Sequence, residues 1–363
     1  MSLASRLGRW ASLVVVCVLI SSGCGDAGPQ LKRIIILTNG TSPFWDAAKI
    51  GAQDAAKDLD VEGAGLRVVV DTNDFSDTGQ INKLREYQGM TDVVAVGISV
   101  TNAENAAIAD ELRKLRKSGI HVITIDSDVD RKNDRNARHA YIGTDNLYGG
   151  RELGKAAKGL KPGGAEYCTF VGLKGAANAK ERIGGFGEGA GAGFTQKESF
   201  GDDGDPDVAR KNVRDAIDRN EALGMLVGIW SYNAPAIVDI VKQLDRRKDF
   251  TICCFDAEPV AIDHMEAGMI DVLAVQNPYK MGYEGVRLLK ALHEGDTAAE
   301  DAMRGRMKGA GEVADADVFD TGLKIIVPDG DSPLDKVELG AVTQKMKLAK
   351  FKEWLKSKGL TGS

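Results

Sequence analysis

The sequence predicts an α/β protein of two Rossmann-like lobes, each a parallel sheet with helices on both faces. Three observations carry that expectation. Short apolar runs recur along the chain without the alternation of a half-exposed strand, which is how strands covered on both faces read. Longer amphipathic stretches separate them, so strand and helix alternate as in βαβ units. The folded part is a little over 330 of the 363 residues, long for one simple core and comfortable for two.

At the N-terminus Arg6 and Arg9 precede a short, mostly apolar run from Ala11 to Ile20, followed by Ser21-Ser22-Gly23-Cys24. A bilayer core needs roughly 20 residues of helix, so residues 1–24 read as an export signal and residues 25–31 as a tether. Strand-like runs then fall at 33–38, 66–70, 93–98, 122–126, 140–143, 167–173, 225–229, 251–255 and 273–276. Between them, Asp46–Leu59 sets Ala48, Ala52, Ala55 and Leu59 on one helical face, and Ala103–Ser118 and Asn233–Leu244 behave alike. Gly295–Phe319 is polar and aperiodic and reads as an extended loop. Thr343–Lys358 places Leu348, Phe351, Trp354 and Leu355 on a helix face that docks on the body.

Composition and motifs exclude several function classes. A net charge of −6 with mixed signs does not suit nucleic-acid binding, which needs a basic surface. Cys168, Cys253 and Cys254 sit in apolar strands without CxxC spacing and read as buried small hydrophobes. Neighbours on a strand face opposite ways, so Cys253 and Cys254 do not share a site. The run Gly184–Gly193 formally contains a dinucleotide fingerprint, but it follows the start of a helix instead of joining strand to helix. Asp128, Asp130, Asn133 and Asp134 lack the glycine and glutamate of a calcium loop, and the four histidines are scattered, so no metal and no catalytic histidine is expected.

The residues just past the strand ends are more informative. The runs lead into Thr41-Ser42-Pro43-Phe44-Trp45, Asp126-Ser127-Asp128, Trp230-Ser231-Tyr232-Asn233, Phe255-Asp256 and Gln276-Asn277. In open parallel sheets, ligands bind beyond the carboxyl ends of the strands. Aromatic rings there can cover the C–H faces of a sugar, while carboxylates and amides take its hydroxyls through charge-assisted bonds.

Six segments in order resemble the ribose-binding branch of the periplasmic sugar-binding proteins, the type 1 receptors of bacterial ABC transporters. They are Ser42-Pro43-Phe44-Trp45 with Gly51, Val122–Asp126, Ile142–Asn146 with Gly149-Gly150, Lys180-Glu181-Arg182 with Gly185-Phe186, Cys254-Phe255-Asp256, and Val275–Pro278 with Gly282. By this resemblance Phe44 and Trp45 stack on the sugar, Asp126 binds hydroxyls from the first lobe, Arg182 reaches in from the second, and Asp256 and Gln276 act near the hinge. Trp230 stands where the family often has an asparagine. Ser42 replaces an asparagine before the proline, and Ser127 replaces the arginine of ribose binders, a bidentate donor that serine cannot supply. Asn233 and, more remotely, Asp205 complete the candidates. The sugar itself, a pentose, hexose or cyclitol, is not named by these residues.

The resemblance also implies an organisation. The first lobe comprises 32–143 plus 277–321, and the second 144–276 plus 322–330 with a strand near 322–327; 331–363 form a C-terminal extension. Three hinge crossings permit closure. Residues 21–24 resemble the processing box of bacterial lipoproteins, which implies export to the cell envelope or periplasm and a lipid anchor on Cys24. The implied partners are a monosaccharide, the membrane and an ABC permease, with no cofactor, no nucleic acid and a monomeric state. The alternative is a sensor that reports sugar occupancy to a membrane receptor kinase or chemoreceptor. Repressors of the lactose type share such a core but begin with a helix-turn-helix, where this chain has an export signal. Opposed aspartates could mimic a glycosidase pair, but the resemblance carries no catalytic role.

Overall fold

The computed structural model describes residues 31–304 and 317–363. The expected export signal, the expected tether up to residue 30 and Cys24, the expected lipidation position, lie outside the described residues. The chain runs β1 (Lys32–Thr38), α1 (Pro43–Asp58), β2 (Leu66–Thr72), α2 (Asp77–Gly89), β3 (Val93–Ile98), α3 (Ala106–Lys117), β4 (His121–Ile125), β5 (Tyr141–Gly143), α4 (Asn146–Leu160), β6 (Ala165–Val171), α5 (Ala177–Ala190) and β7 (Phe194–Gly201). It continues through α6 (Pro206–Arg219), β8 (Leu223–Gly228), α7 (Asn233–Gln243), β9 (Thr251–Phe255), α8 (Pro259–Glu266), β10 (Val272–Val275), α9 (Pro278–Glu294), α10 (Thr297–Arg304), β11 (Val318–Asp320), β12 (Leu323–Val327), β13 (Thr343–Lys347) and α11 (Leu348–Ser357).

These strands form two sheets, ordered β11-β5-β4-β3-β1-β2 and β13-β12-β10-β9-β8-β6-β7. Every pairing is parallel except β10 with β12. The chain passes between the sheets after β5, after β10 and after β11, which is the three-crossing arrangement of the type 1 receptors. Both faces of each sheet are covered. In β1, Ile34 and Ile36 enter one core while Ile35 and Leu37 enter another, which is why the run is apolar without alternation. Cys253 and Cys254 likewise fall in separate cores, as free buried thiols.

Glycines let helices on each sheet touch backbone to backbone. A Cβ on Gly51 of α1 would lie 1.9 Å from the Tyr279 carbonyl oxygen of α9. A Cβ on Gly189 of α5 would lie 2.0 Å from the Arg151 carbonyl oxygen of α4. Within the Gly184–Gly193 run, Gly185 and Gly189 are therefore a packing face of α5 against α4, and Gly150 of α4 lets the Arg182 backbone come close.

Several elements differ from expectation. The strands β7, β11 and β13, unpredicted from local pattern, are all sheet edges. An edge strand needs few apolar residues, and β7 is mostly exposed while β13 reads Thr-Gln-Lys-Met-Lys. The helix expected over Thr343–Lys358 accordingly begins only at Leu348, after β13. The expected loop Gly295–Phe319 contains α10 and the start of β11; α10 buries Met303, too small an apolar face to read as periodic. Finally, the histidines are not all scattered in space. His121 lies 5.6 Å from His139 and 6.3 Å from His293 between ring centroids, yet no cluster of three or more His, Cys, Asp or Glu among the described residues is disposed to hold a metal ion.

Candidate ligand-binding site

Two aspartates anchor the site, each placed directly after a strand. Asp126 follows β4 and Asp256 follows β9, strands that stand fourth from the β2 and β7 edges of their sheets. The Asp126 amide donates to the Ile142 carbonyl at 3.0 Å and the Asp256 amide to the Ala274 carbonyl at 2.8 Å. Immediately after that bond the backbone turns left-handed, with φ of 64° at Asp126 and 63° at Asp256. Such a conformation costs an L-residue about 1–2 kcal/mol and is characteristic of functional turns. Both side chains are buried.

Between them lies Arg182 of α5, about 1% exposed. Its Nη2 is 3.6 Å from Asp126 Oδ1 and its Nη1 is 3.7 Å from Asp256 Oδ2. Nε donates to Asn146 Oδ1 at 2.9 Å, Nη1 donates to the Ile229 carbonyl at 3.0 Å, and the Phe255 ring lies 4.6 Å beneath the guanidinium. The cation is thus fixed from its own sheet, while Nη2 has no hydrogen-bond partner among the described residues. Gln276 donates to both oxygens of Asp256, and its own Oε1 is also left without a partner there. A buried donor and a buried acceptor without partners cost free energy unless a ligand meets them.

The walls are aromatic. Phe44 and Trp45 pack edge to face at 5.1 Å, and Trp45 Nε1 donates to Asn39 Oδ1 at 3.0 Å. From the other sheet, Trp230 Nε1 donates to Asn178 Oδ1 at 3.1 Å, and Asn178 Nδ2 donates to Asp126 Oδ2 at 3.0 Å. Both rings are thereby oriented through their polar edges, leaving their faces for apolar contact. Together these groups line a cavity between the carboxyl ends of the two sheets.

Burial dominates the electrostatics. The Asp126 carboxyl is pushed up to about 6 by burial, with Arg182 opposing the shift and Asp256 adding to it. Burial also raises Asp256, against the pull of Arg182 and the Gln276 amide. One cation faces two carboxylates, so the cavity can accept a neutral ligand rich in hydroxyl donors.

Residues 34–297 match the family model described as the periplasmic binding protein domain. The chain belongs to that family. Among curated relatives, it is 22% identical over 287 residues to the D-allose-binding periplasmic protein of Escherichia coli, covering 77% of this chain and 89% of that protein. It is also 22% identical over 307 residues to the ribose import binding protein of Salmonella typhimurium, covering 80% and 94%. A solute-binding protein of an ABC transporter from Burkholderia graminis, solved with D-arabinose, aligns with a TM-score of 0.69 at 23% identity over 83% of this chain and 96% of that one. The XylFII–LytSN complex aligns with a TM-score of 0.67 at 24% identity over 74% and 95%.

As a periplasmic binding protein, the chain brings Ser42, Phe44, Trp45, Asp126, Arg182, Trp230, Asp256 and Gln276 to one cavity. Three other candidates lie elsewhere. Ser127 is fully buried beside β4, where its amide donates to the Ile125 carbonyl. Asn233 stands behind the wall, accepting from the Trp230 amide at 3.0 Å and donating to Asp202 at 3.0 Å. Asp205 caps the N-terminus of α6.

The lining also includes Asn39, Phe75, Asn178, Ser231 and Tyr232, none of them a candidate from sequence. Asn178 precedes Arg182 by one helical turn, a spacing that could have revealed it. Ser231 and Tyr232 lie in the strand-end segment 230–233, and Asn39 follows β1 directly. Phe75 sits in a polar loop and carries no local signal.

Proposed function

We propose that this protein is an exported receptor that captures a monosaccharide between two closing lobes and delivers it, unaltered, to an ABC-type importer. The observation that carries the reading is the cavity itself. Aromatic faces approach from both sheets, and two buried carboxylates share one arginine, as suits a neutral polyol. The relatives named for allose and ribose and the neighbour holding D-arabinose support the ligand class. In this reading the lobes comprise 32–143 with 277–321 and 144–276 with 322–330, and a lipid on Cys24 tethers the receptor at the membrane beside its permease. Sensing through a membrane kinase is the second reading, for which the neighbour solved as a two-protein complex speaks.

The test is a thermal-shift screen of the chain from Gly25 onward against pentoses, hexoses, sugar acids and cyclitols, with calorimetry on any hit. A ligand at 100 times its dissociation constant adds about 2.7 kcal/mol to the native state, which shifts the transition visibly. A hit recovered chemically unchanged after incubation supports a receptor. A flat screen across all sugars, or turnover of the bound glycoside, defeats the reading.

A further inference from the structure

Phe75 lines the cavity but has no role assigned to it in the sugar-binding reading. It lies in the loop between β2 and α2, its amide donating to the Asn39 carbonyl at 2.9 Å, with φ of 64°. A bulky residue in that backbone region is an outlier, held here for the sake of its ring. The ring fills space left by two glycines that have no Cβ. A Cβ on Gly40, beside it in the first sheet's loops, would lie 2.2 Å from the ring. A Cβ on Gly204, in the loop between β7 and α6 of the second sheet, would lie 2.5 Å from it. The ring also meets Trp230, at 6.3 Å between centroids and a 32° tilt.

Its place relative to solvent is equally specific. Beside the cavity runs an open cleft of about 1180 Å³, lined by Asp77, Thr101, Lys174 and Asp203 among others. Among the described residues, Phe75 alone belongs to the linings of both spaces. Phe75 thus stands where the two spaces adjoin.

We propose that Phe75 is an aromatic latch, carried by a loop of the first sheet and seated against Gly204 and Trp230 of the second, that governs how long the ligand stays. The identity of the cargo rests on the monosaccharide reading; the seating of the ring does not. Because the latch contacts form only when the two sheets' loops meet, Phe75 acts on release more than on capture.

The test combines release kinetics with a measurement that needs no ligand. Phe75→Ala keeps the Cβ and hence the backbone strain, so it removes the ring alone. Stopped-flow fluorescence uses the tightest binder from a panel of D-ribose, D-arabinose, D-allose, D-galactose and myo-inositol. Phe75→Ala is expected to raise the off-rate by about tenfold or more while the association rate stays within about threefold. Phe75→Tyr restores slow release, and Gly40→Ala, which keeps the ring but displaces it, reproduces the loss. In protein labelled with 5-fluorotryptophan, the ligand-free Trp230 fluorine resonance, assigned by Trp230→Phe, shifts in Phe75→Ala and Gly40→Ala but not in Phe75→Tyr. An unchanged off-rate, or with no binder found an unmoved Trp230 resonance, overturns the latch. Should no panel sugar bind the wild-type protein, the cargo reading fails, and the fluorine resonance still decides the latch.

Discussion

Asp126 and Asp256 end equivalent strands of the two sheets with nearly the same backbone twist, and they are held from opposite directions. Asp256 is met by Gln276, which leads out of the adjacent strand β10, and by Arg182 of the same sheet's helix layer. Asp126 is met by Ser99 from its own sheet at 3.2 Å, but by Asn178 and Arg182 from the other. One carboxylate is therefore largely preassembled, whereas the other acquires its amide and its cation across the gap between the sheets. The shared arginine thus belongs to one side, and Asp126 is the group whose surroundings depend on contacts between the two sheets.

Removing the shared cation should have the largest effect. Arg182→Leu leaves two buried carboxylates facing each other, so binding should be lost and unfolding free energy should fall by about 3–5 kcal/mol, read by urea denaturation at pH 7. A fall well under 1 kcal/mol would show that the carboxylates are hydrated and not truly paired.

Next come the aspartates themselves. Asp256→Ala and Asp126→Ala should each weaken sugar binding about 100-fold or more, since a hydrogen bond to a charged group contributes about 1.5–3 kcal/mol and several are lost. The fold should persist in both. Only Asp126→Ala should also enlarge the ligand-free protein in small-angle scattering, because it removes ties across the gap. Equal scattering from the two variants would erase the asymmetry between the carboxylates.

A smaller effect is expected from pH. The folded Asp126 carboxyl titrates near 6, above its ordinary 3.8. Between those values the native state holds more protons than the unfolded one, so this group's contribution to stability falls as pH rises from about 4 to about 6. Sugar hydroxyls favour the ionised carboxylate, so ligand binding runs the other way and should be about tenfold weaker at pH 5 than at pH 7. Calorimetry in buffers of different ionisation enthalpy should detect proton release near pH 5.5. The absence of both trends would place the bound sugar away from Asp126.

The smallest effect concerns the second sheet's side alone. The Ala257 amide donates to the Ser363 carbonyl at 2.8 Å and the Ser363 amide returns a bond to Ala257 at 2.9 Å. The tail thus clamps the residue after Asp256. Deleting residues 361–363 should cost about 1 kcal/mol of stability per hydrogen bond lost and weaken binding only several-fold. A loss as large as that of Asp256→Ala would make the tail a part of the site.

Much of this arrangement was legible in order along the chain. Buried strands such as 33–38 and 251–255 announce themselves by continuous apolar residues, and Asp126, Asp256 and Gln276 stand where those runs stop. The edge strands β7 and β13 did not announce themselves, since a strand with one neighbour and a wet face has no composition to distinguish it from a loop, and β11, though Val318 and Phe319 are buried, is only three residues long. Asn233 and Ser127 sat in the right segments, yet one became a buttress for Trp230 and the other a buried turn residue. A segment's position along the sheet edge says nothing about which of its side chains points inward.

Local sequence was enough to establish the alternation of strand and helix, the two-sided burial of the sheets and the family to which the residues at the strand ends point. Those properties arise from periodicity and from residues adjacent in the chain. Three-dimensional packing was needed to bring Arg182 between two aspartates, to make Asn178 a bridge from Trp230 to Asp126, and to seat Phe75 between Gly40 and Gly204. Each of these joins residues dozens of positions or more apart, across a gap between two sheets. The free energy of such contacts depends on where the sheets stand, which no local pattern of side chains encodes.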